Sequence, residues 1–136
     1  MIITAVKIRK LENTGNKMIG VCSITLDNLI AIHDIKILRK DGMFLAMPSR
    51  KTNNNTFKDV VHPISEPPRK KMEEIIFGLY ETTARSSNNT QEFKCTNTER
   101  TSLLDQQCSD FEIDEERTYS GFVNDEIKKE IESWMA

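Results

Sequence analysis

The sequence contains few of the residues that mark secreted, membrane or metal-binding proteins. No segment approaches the roughly 18 consecutive apolar residues that a membrane span requires, and the N-terminal segment lacks the pattern of a signal peptide. Only three cysteines and two histidines are present, and no cysteine pair has the Cys-x-x-Cys spacing of a structural zinc site. We therefore expect a cytoplasmic protein with reduced, structural thiols, no metal, no other cofactor and no membrane association.

Motifs that would indicate an enzyme are also missing. The sequence has no P-loop, no Gly-rich dinucleotide motif and no nucleophile elbow. Four residues near predicted strand ends could in principle assemble an acid–base or metal site: His33, Asp34, Asp59 and His62. A simpler interpretation is that His33 and Asp34 mark a strand irregularity and that His62 occupies a turn before Pro63. We predict a protein without catalytic residues.

The charged residues are divided unevenly along the chain. Residues 1–85 carry 14 Lys and Arg against 9 Asp and Glu, whereas residues 86–136 carry 5 against 12. The overall charge of −2 thus hides a basic body followed by an acidic tail.

Hydrophobic patterning predicts five strands in the basic body. Asp27-Asn28 separates the second strand from the third, and both residues tolerate the positive φ of a tight hairpin turn. The apolar phase of the third strand changes at His33-Asp34, which predicts a β-bulge. The predicted strands are residues 2–10, 18–26, 29–38, 43–47 and 57–61.

A helix is predicted after the fifth strand. Ser65 is a suitable N-cap, and Pro67-Pro68 suit a first turn in which the N–H groups have no helical partner. Apolar residues at helical spacing form one stripe that should pack across the sheet: Met72, Ile75, Ile76, Leu79, Tyr80 and Thr83. The predicted fold class is α+β, an antiparallel five-stranded sheet followed by a packing helix. A homodimer would cover the apolar second and fourth strands.

The chain is predicted to have three parts. Residues 1–85 form the α+β domain. Residues 86–122 are polar and acidic, which predicts a disordered linker. Residues 123–136 have the pattern of a short amphipathic helix that could bind a protein partner.

Two basic clusters are the candidate binding residues. Arg50 and Lys51 follow the fourth strand after Pro48, and a second cluster, Arg69, Lys70 and Lys71, lies at the start of the helix. Cations beside free helical N–H groups are suited to phosphate, and clustered Lys and Arg supply most non-specific affinity for nucleic acid. Alternatively, the helix cluster is a solvated charged face with Glu73 and Glu74 as partial partners. Arg50, Arg69 and the asparagines at 53–55 are candidates for base contacts, although the simpler interpretation of the asparagines is an ordinary polar loop. Phe44 and Phe57 are assigned to the core.

Four segments of the body occur in a characteristic order: SITLDN at 23–28, HDIKI at 33–37, FLAMPSRK at 44–51 and FKDVVHPI at 57–64. Together they resemble the stage V sporulation protein G (septation protein) family of bacteria. The resemblance covers about residues 1–85 and implies a small, cytosolic, homodimeric α+β domain that binds DNA and RNA as a regulator; the family's name refers to septum formation and sporulation. Arg50-Lys51 departs from the more usual Lys-Arg order, and Pro67-Pro68 and the tail from residue 86 are unusual.

Two alternatives accompany this reading. The chain could be a protein-interaction factor in division-septum formation, with no direct role in nucleic-acid binding. The acidic tail could fold back on the basic body and compete with nucleic acid.

Overall fold

A computed structural model describes residues 1–12 and 17–115 of the chain. The predicted helix at 123–136 and the last part of the predicted linker lie outside the described residues. Within them, no helix is long and apolar enough to cross a membrane.

The described residues contain eight strands and one α-helix in an α+β arrangement. Six strands form one antiparallel sheet in the order β4-β3-β2-β1-β7-β8, and β5 and β6 pair separately. The elements are β1 Ile3–Lys10, β2 Met18–Leu26, β3 Ile30–Arg39, β4 Met43–Ala46, β5 Ser49–Lys51, β6 Phe57–Asp59, α1 Glu66–Arg85, β7 Thr90–Cys95 and β8 Phe111–Ile113.

The β2–β3 hairpin has the predicted turn and the predicted bulge. Asp27 and Asn28 have φ angles of 53° and 56°, and the N–H of Leu29 donates to the carbonyl of Leu26 at 2.9 Å. Further along, the pairing register shifts after Cys22, where Asp34 adopts a φ of 63°. Both predictions are confirmed: the turn followed from two residues that tolerate left-handed backbone, and the bulge followed from the change of apolar phase.

One helix covers one face of the sheet, as predicted. The six side chains of the predicted stripe are those that α1 buries. Beneath them, alternate residues of β1, β2 and β3 are fully buried, among them Ile8, Cys22 and Ile35. Burial raises the pKa of the Cys22 thiol to about 12, so this cysteine is a protonated core residue.

The predicted five-stranded sheet has the wrong number and the wrong composition of strands. The main sheet has six strands, and predicted strand 57–61 is shortened to β6, which pairs only with β5. The two additional strands, β7 and β8, come from the segment predicted as a disordered linker. That segment contributes Phe93 and Phe111 to the core, and these two aromatic side chains offset its polar average composition.

Residues 86–115, called the extension from here on, cover the free edge of β1. β7 pairs with the middle of that strand. At one end, the N–H of Lys10 donates to the carbonyl of Asn89 at 2.8 Å, and at the other the N–H of Leu103 donates to the carbonyl of Met1 at 2.8 Å. The extension therefore belongs to the folded unit, and the sheet continues across the predicted domain boundary at residue 85.

Gln106 completes this edge where β7 no longer reaches it. Its side chain is fully buried. Its Oε1 accepts from the N–H of Ile3 at 2.7 Å, and its Nε2 donates to the carbonyl of Ile3 at 2.8 Å. One amide thus replaces both hydrogen bonds that a neighbouring strand would make.

The buried carboxylate of Asp110 stabilises the segment that connects β7 to β8. Burial tends to raise the pKa of Asp110, but hydrogen bonds from the Gln107 N–H, Arg100 and Asn97 outweigh it and hold the pKa below its ordinary value. The ion pair with Arg100 measures 3.0 Å. Asp110 therefore stabilises the docked extension in its charged form.

Candidate nucleic-acid interface

A short two-stranded hairpin carries the first predicted basic cluster. We call β5, β6 and the turn between them the basic ribbon, residues 49–59. At its base, the N–H of Val60 donates to the carbonyl of Pro48 at 2.7 Å. At its tip, the N–H of Thr52 donates to the carbonyl of Thr56 at 2.8 Å. All six strand residues of the ribbon are exposed, so it stands outside the core.

The pairing register determines which ribbon side chains share a face. Arg50 is the partner of Lys58, and Lys51 is the partner of Phe57. Directly opposite residues point to the same face of an antiparallel pair, with Cβ atoms about 4.5–5.5 Å apart. One face therefore presents two cations, and the other presents Lys51 beside Phe57 together with Asp59, which pairs with Ser49. Two like charges in this position repel each other, and a bound anion would relieve that repulsion.

Lys58 is a candidate that the sequence reasoning missed. Taken alone, β6 reads as a short alternating strand in which Lys58 is an ordinary surface residue. A hairpin pairing of 49–51 with 57–59 across the polar turn would have placed it opposite Arg50. That turn sequence, from Thr52 to Thr56, was the available signal.

The assignment of Phe44 and Phe57 to the core is wrong. Phe57 is 72% exposed and Phe44 is 42% exposed. In β4 the inward positions are taken by Leu45 and, just after the strand, Met47, so alternation turns Phe44 outward. Phe57 belongs to the ribbon and has no core to enter.

The second predicted cluster is placed differently from the first. α1 begins at Glu66, so Pro67 and Pro68 remove two of its first N–H donors. Lys70 forms an ion pair with Glu66 at 3.5 Å. The helix start is thus a weaker phosphate site than its sequence suggested, although a pair as exposed as this contributes at most about 1 kcal/mol and can exchange for another anion.

Lys71 lies at the junction between α1 and the extension. It forms an ion pair with Glu74 at 3.0 Å. It also lines a groove of about 340 Å³ together with residues of the extension, including the acids Glu99 and Asp105 and the base Arg100. The mixed charges of this groove add little positive potential to the surface.

The structure does not join the two clusters by direct contacts. Over residues 1–12 and 17–115, no ion pair or hydrogen bond connects the ribbon cations to Arg69, Lys70 or Lys71. The uncompensated positive charge is concentrated on the ribbon, at Arg50, Lys51 and Lys58.

The alternative acid–base group shows no assembled metal site. His33 Nδ1 lies 3.1 Å from the hydroxyl of Ser23, and the exposed His62 donates from Nδ1 to the Pro63 carbonyl at 2.9 Å. Among the described residues, no group of three or more His, Cys, Asp and Glu side chains could hold a metal ion.

The fold and this surface define a class: a small α+β domain with an antiparallel sheet, one covering helix and a projecting basic hairpin. The model of the SpoVG family matches residues 1–82 of the chain. The chain therefore belongs to the SpoVG family, which confirms the resemblance drawn from the four sequence segments.

Individual relatives agree with this assignment. Proteins provisionally named septation protein SpoVG include one from Clostridium kluyveri, 43% identical over 93 residues, which is 68% of this chain and 96% of the relative. The Finegoldia magna protein is 47% identical over 81 residues, 59% of this chain and 74% of the relative. The Clostridium beijerinckii protein is 48% identical over 82 residues, 60% of this chain and 89% of the relative. The whole extension, residues 86–115, lies beyond the match to the family model.

Proposed function

We propose that this chain is a cytoplasmic regulatory protein that binds DNA or RNA through the phosphate backbone and acts as a homodimer without catalysis. The observation that carries the proposal is the basic ribbon. Arg50 and Lys58 stand opposite each other, Lys51 adjoins them, and none of the three has an ion-pair partner among the described residues. A surface selected for stability alone would place an acid opposite one of these cations.

The number of cations supports a dimer. The ribbon and the helix start offer six cations in one copy: Arg50, Lys51, Lys58, Arg69, Lys70 and Lys71. Ion pairs at Lys70 and Lys71 reduce their contribution. Since affinity for nucleic acid rises with the number of phosphates neutralised, a second copy that places its ribbon on the same strand or duplex would double the available contacts.

Exposed apolar side chains supply a surface for the second copy. Ile64 is 91% exposed and Val60 66%, and Leu29, Ile30 and Phe57 are also among the exposed large hydrophobic residues. Phe57, Val60 and Ile64 lie within eight residues of one another along the chain, and exposed apolar patches mark interaction sites.

A salt titration of binding tests this function. We expect the log–log slope of affinity against salt to fall by about 1 for each phosphate-contacting Lys or Arg that is removed. Arg50→Ala with Lys51→Ala should lower affinity and slope more than Lys70→Ala with Lys71→Ala. Lys40→Ala, an exposed cation in the β3–β4 turn, is the matched control. Failure of the wild-type chain to bind any nucleic acid at low salt would overturn the proposal.

The second candidate is a protein-interaction factor in septum formation whose basic ribbon is incidental. The exposed apolar residues around the ribbon favour it, because they would serve a protein partner as well as a second copy. Two measurements separate the functions. If Ile64→Ser abolishes both dimer formation and nucleic-acid binding, the first function is supported. If the wild-type chain is a monomer and binds no nucleic acid, the second is supported.

The C-terminal predictions concern residues outside the described part. That segment 123–136 binds a protein partner stays a prediction, as does competition by the acidic tail. Removing residues 116–136 tests the competition: tighter DNA binding by the shortened chain supports it, and unchanged binding argues against it.

A further inference from the structure

We propose that the basic ribbon enters the major groove of B-form duplex DNA, with the Arg50–Lys58 face and the tip directed toward base edges. This inference rests on the proposed function and goes beyond it, because it names the form of nucleic acid and assigns base contacts to an element that would otherwise contact only phosphates.

The dimensions of the ribbon fit this groove. Its two strands lie about 4.7–4.9 Å apart, and a major groove about 12 Å wide and 8.5 Å deep admits a two-stranded β-ribbon. From Ser49 to Asn53 the chain advances about 3.3 Å per residue, which gives roughly 13 Å of reach. The tip can therefore touch the floor of the groove while the base stays outside it.

The ribbon is held clear of the remaining structure. Pairing of β4 with β3 stops at Ala46, and Pro48 follows before β5 begins. Beyond the bond from Val60 to Pro48, the ribbon's hydrogen bonds are its own, in the described part of the chain. An isolated two-stranded hairpin is only marginally stable in water. The exposed ribbon therefore adds little to the stability of the free protein, and a bound ligand would stabilise it.

The tip has the chemistry needed for base edges. Asn53, Asn54 and Asn55 are exposed, and within the described residues their side-chain amides make no hydrogen bond to protein. The Thr52 hydroxyl lies 2.7 Å from that of Thr56 and closes the turn beneath them. Asparagine can pair with adenine through two hydrogen bonds, and arginine can pair in the same way with guanine. Arg50 and the three amides thus supply donors suited to both purines.

Duplex RNA and single strands fit the ribbon less well. The major groove of A-form RNA is too deep and narrow for side chains to contact the bases. Single strands are bound largely by stacking on aromatic rings, and the ribbon's one ring, Phe57, lies on the face opposite Arg50 and Lys58. The cationic face carries no ring.

Binding of the full chain to three probes of one sequence tests the proposal: a DNA duplex, the matching RNA duplex and the DNA single strand. We expect the DNA duplex to bind at least tenfold more tightly than the RNA duplex. Arg50→Ala with Lys58→Ala should weaken duplex DNA binding by roughly 5- to 150-fold, the range for losing a good base contact, beyond the loss seen with the Lys40→Ala control. Because Arg50 and Lys58 are exposed, unchanged urea unfolding confirms that the variant is folded.

A selection from random duplexes tests the base contacts themselves. Wild type should enrich a guanine-containing sequence, and Arg50→Lys, which keeps the charge but loses the planar donor pair, should abolish that enrichment with an unchanged salt slope. Equal affinity for duplex RNA, or a preference for the single strand that Phe57→Ala removes, would overturn the groove inference while leaving the proposed function standing. Absence of binding to all three probes would overturn both.

Discussion

The extension and the basic ribbon are both polar segments that form antiparallel pairs, yet one is docked and the other is not. The extension inserts Phe93, Phe111 and Gln106 into the protein, and its strands continue the main sheet. The ribbon buries none of its strand residues and pairs only with itself. The comparison shows that a few buried anchors, rather than average polarity or strand propensity, decide whether a segment joins the core.

The difference also separates stability from function. Conformational entropy opposes ordering any segment, and the extension offsets it with burial and hydrogen bonds to β1. The ribbon has no such compensation in the free chain. This contrast supports the proposal that the ribbon is the binding element and that the extension serves stability.

Two phenylalanine substitutions give the largest expected contrast between the regions. Phe93→Ala should lower the free energy of unfolding by about 3–5 kcal/mol, because it leaves a cavity at a side chain that is only 2% exposed. Phe57→Ala should change the unfolding of the monomer by less than about 0.5 kcal/mol. Urea titration at low protein concentration measures both, and equal losses would contradict the division between the two regions.

Gln106→Ala tests how much hydrogen bonds contribute to the docking of the extension on β1. It leaves the buried N–H and carbonyl of Ile3 without partners, and an unpaired buried group costs about 1–3 kcal/mol. We expect a loss of about 2–4 kcal/mol, with faster amide exchange at Ile3. Ser109→Ala, an exposed position in the same segment, is the control and should be close to neutral.

The contact between α1 and the extension can be tested at a glycine. A Cβ at Gly78 would lie 2.5 Å from the sulfur of Cys108, so Gly78→Ala should cost about 1–3 kcal/mol through overpacking. In a Cys108→Ala background the same change should cost much less or stabilise, because alanine favours a helix over glycine by about 1 kcal/mol. A cost that is the same in both backgrounds would show that the extension does not press on the helix.

The smallest expected effect concerns pH. Asp110 has a folded-state pKa below its ordinary value of 3.8, so its contribution to stability is complete above that value and is lost as the pH falls through the folded pKa. Unfolding free energies measured at neutral pH and below pH 3.8 should show this loss in wild type. Asp110→Asn should be less stable at neutral pH and should lack this part of the acid dependence, whereas ribbon variants should retain it.

Much of the body of the fold follows directly from the sequence. The β2–β3 turn was predicted because Asp27 and Asn28 tolerate positive φ, the bulge was predicted from the change of apolar phase at His33-Asp34, and the helix stripe was predicted from its spacing. The extension was missed because Phe93 and Phe111 are isolated apolar residues in a polar stretch. Gln106 has no sequence signal at all, since its role depends on a backbone more than 100 residues away in sequence.

The predicted site residues stay a prediction, and the structure adds their arrangement. Arg50 and Lys51 were recognised from their place after Pro48, but Lys58 was not, because only the strand register puts it opposite Arg50. The helix cluster was overvalued. Glu74 was visible in the sequence as a partner for this cluster and does pair with Lys71, but only the fold brings the acids of the extension into the same groove.

Because Gln106 pairs with Ile3, the edge of β1 is completed only after nearly the whole described chain has been synthesised. The first strand leaves the ribosome long before its edge partner exists, and at roughly 5–20 residues per second the wait lasts about 5–20 s. During that time the open edge of β1 is a site where neighbouring nascent chains can pair. A codon change that slows translation between residues 12 and 90 would lengthen this exposure and favour aggregation, even though the finished protein would be identical.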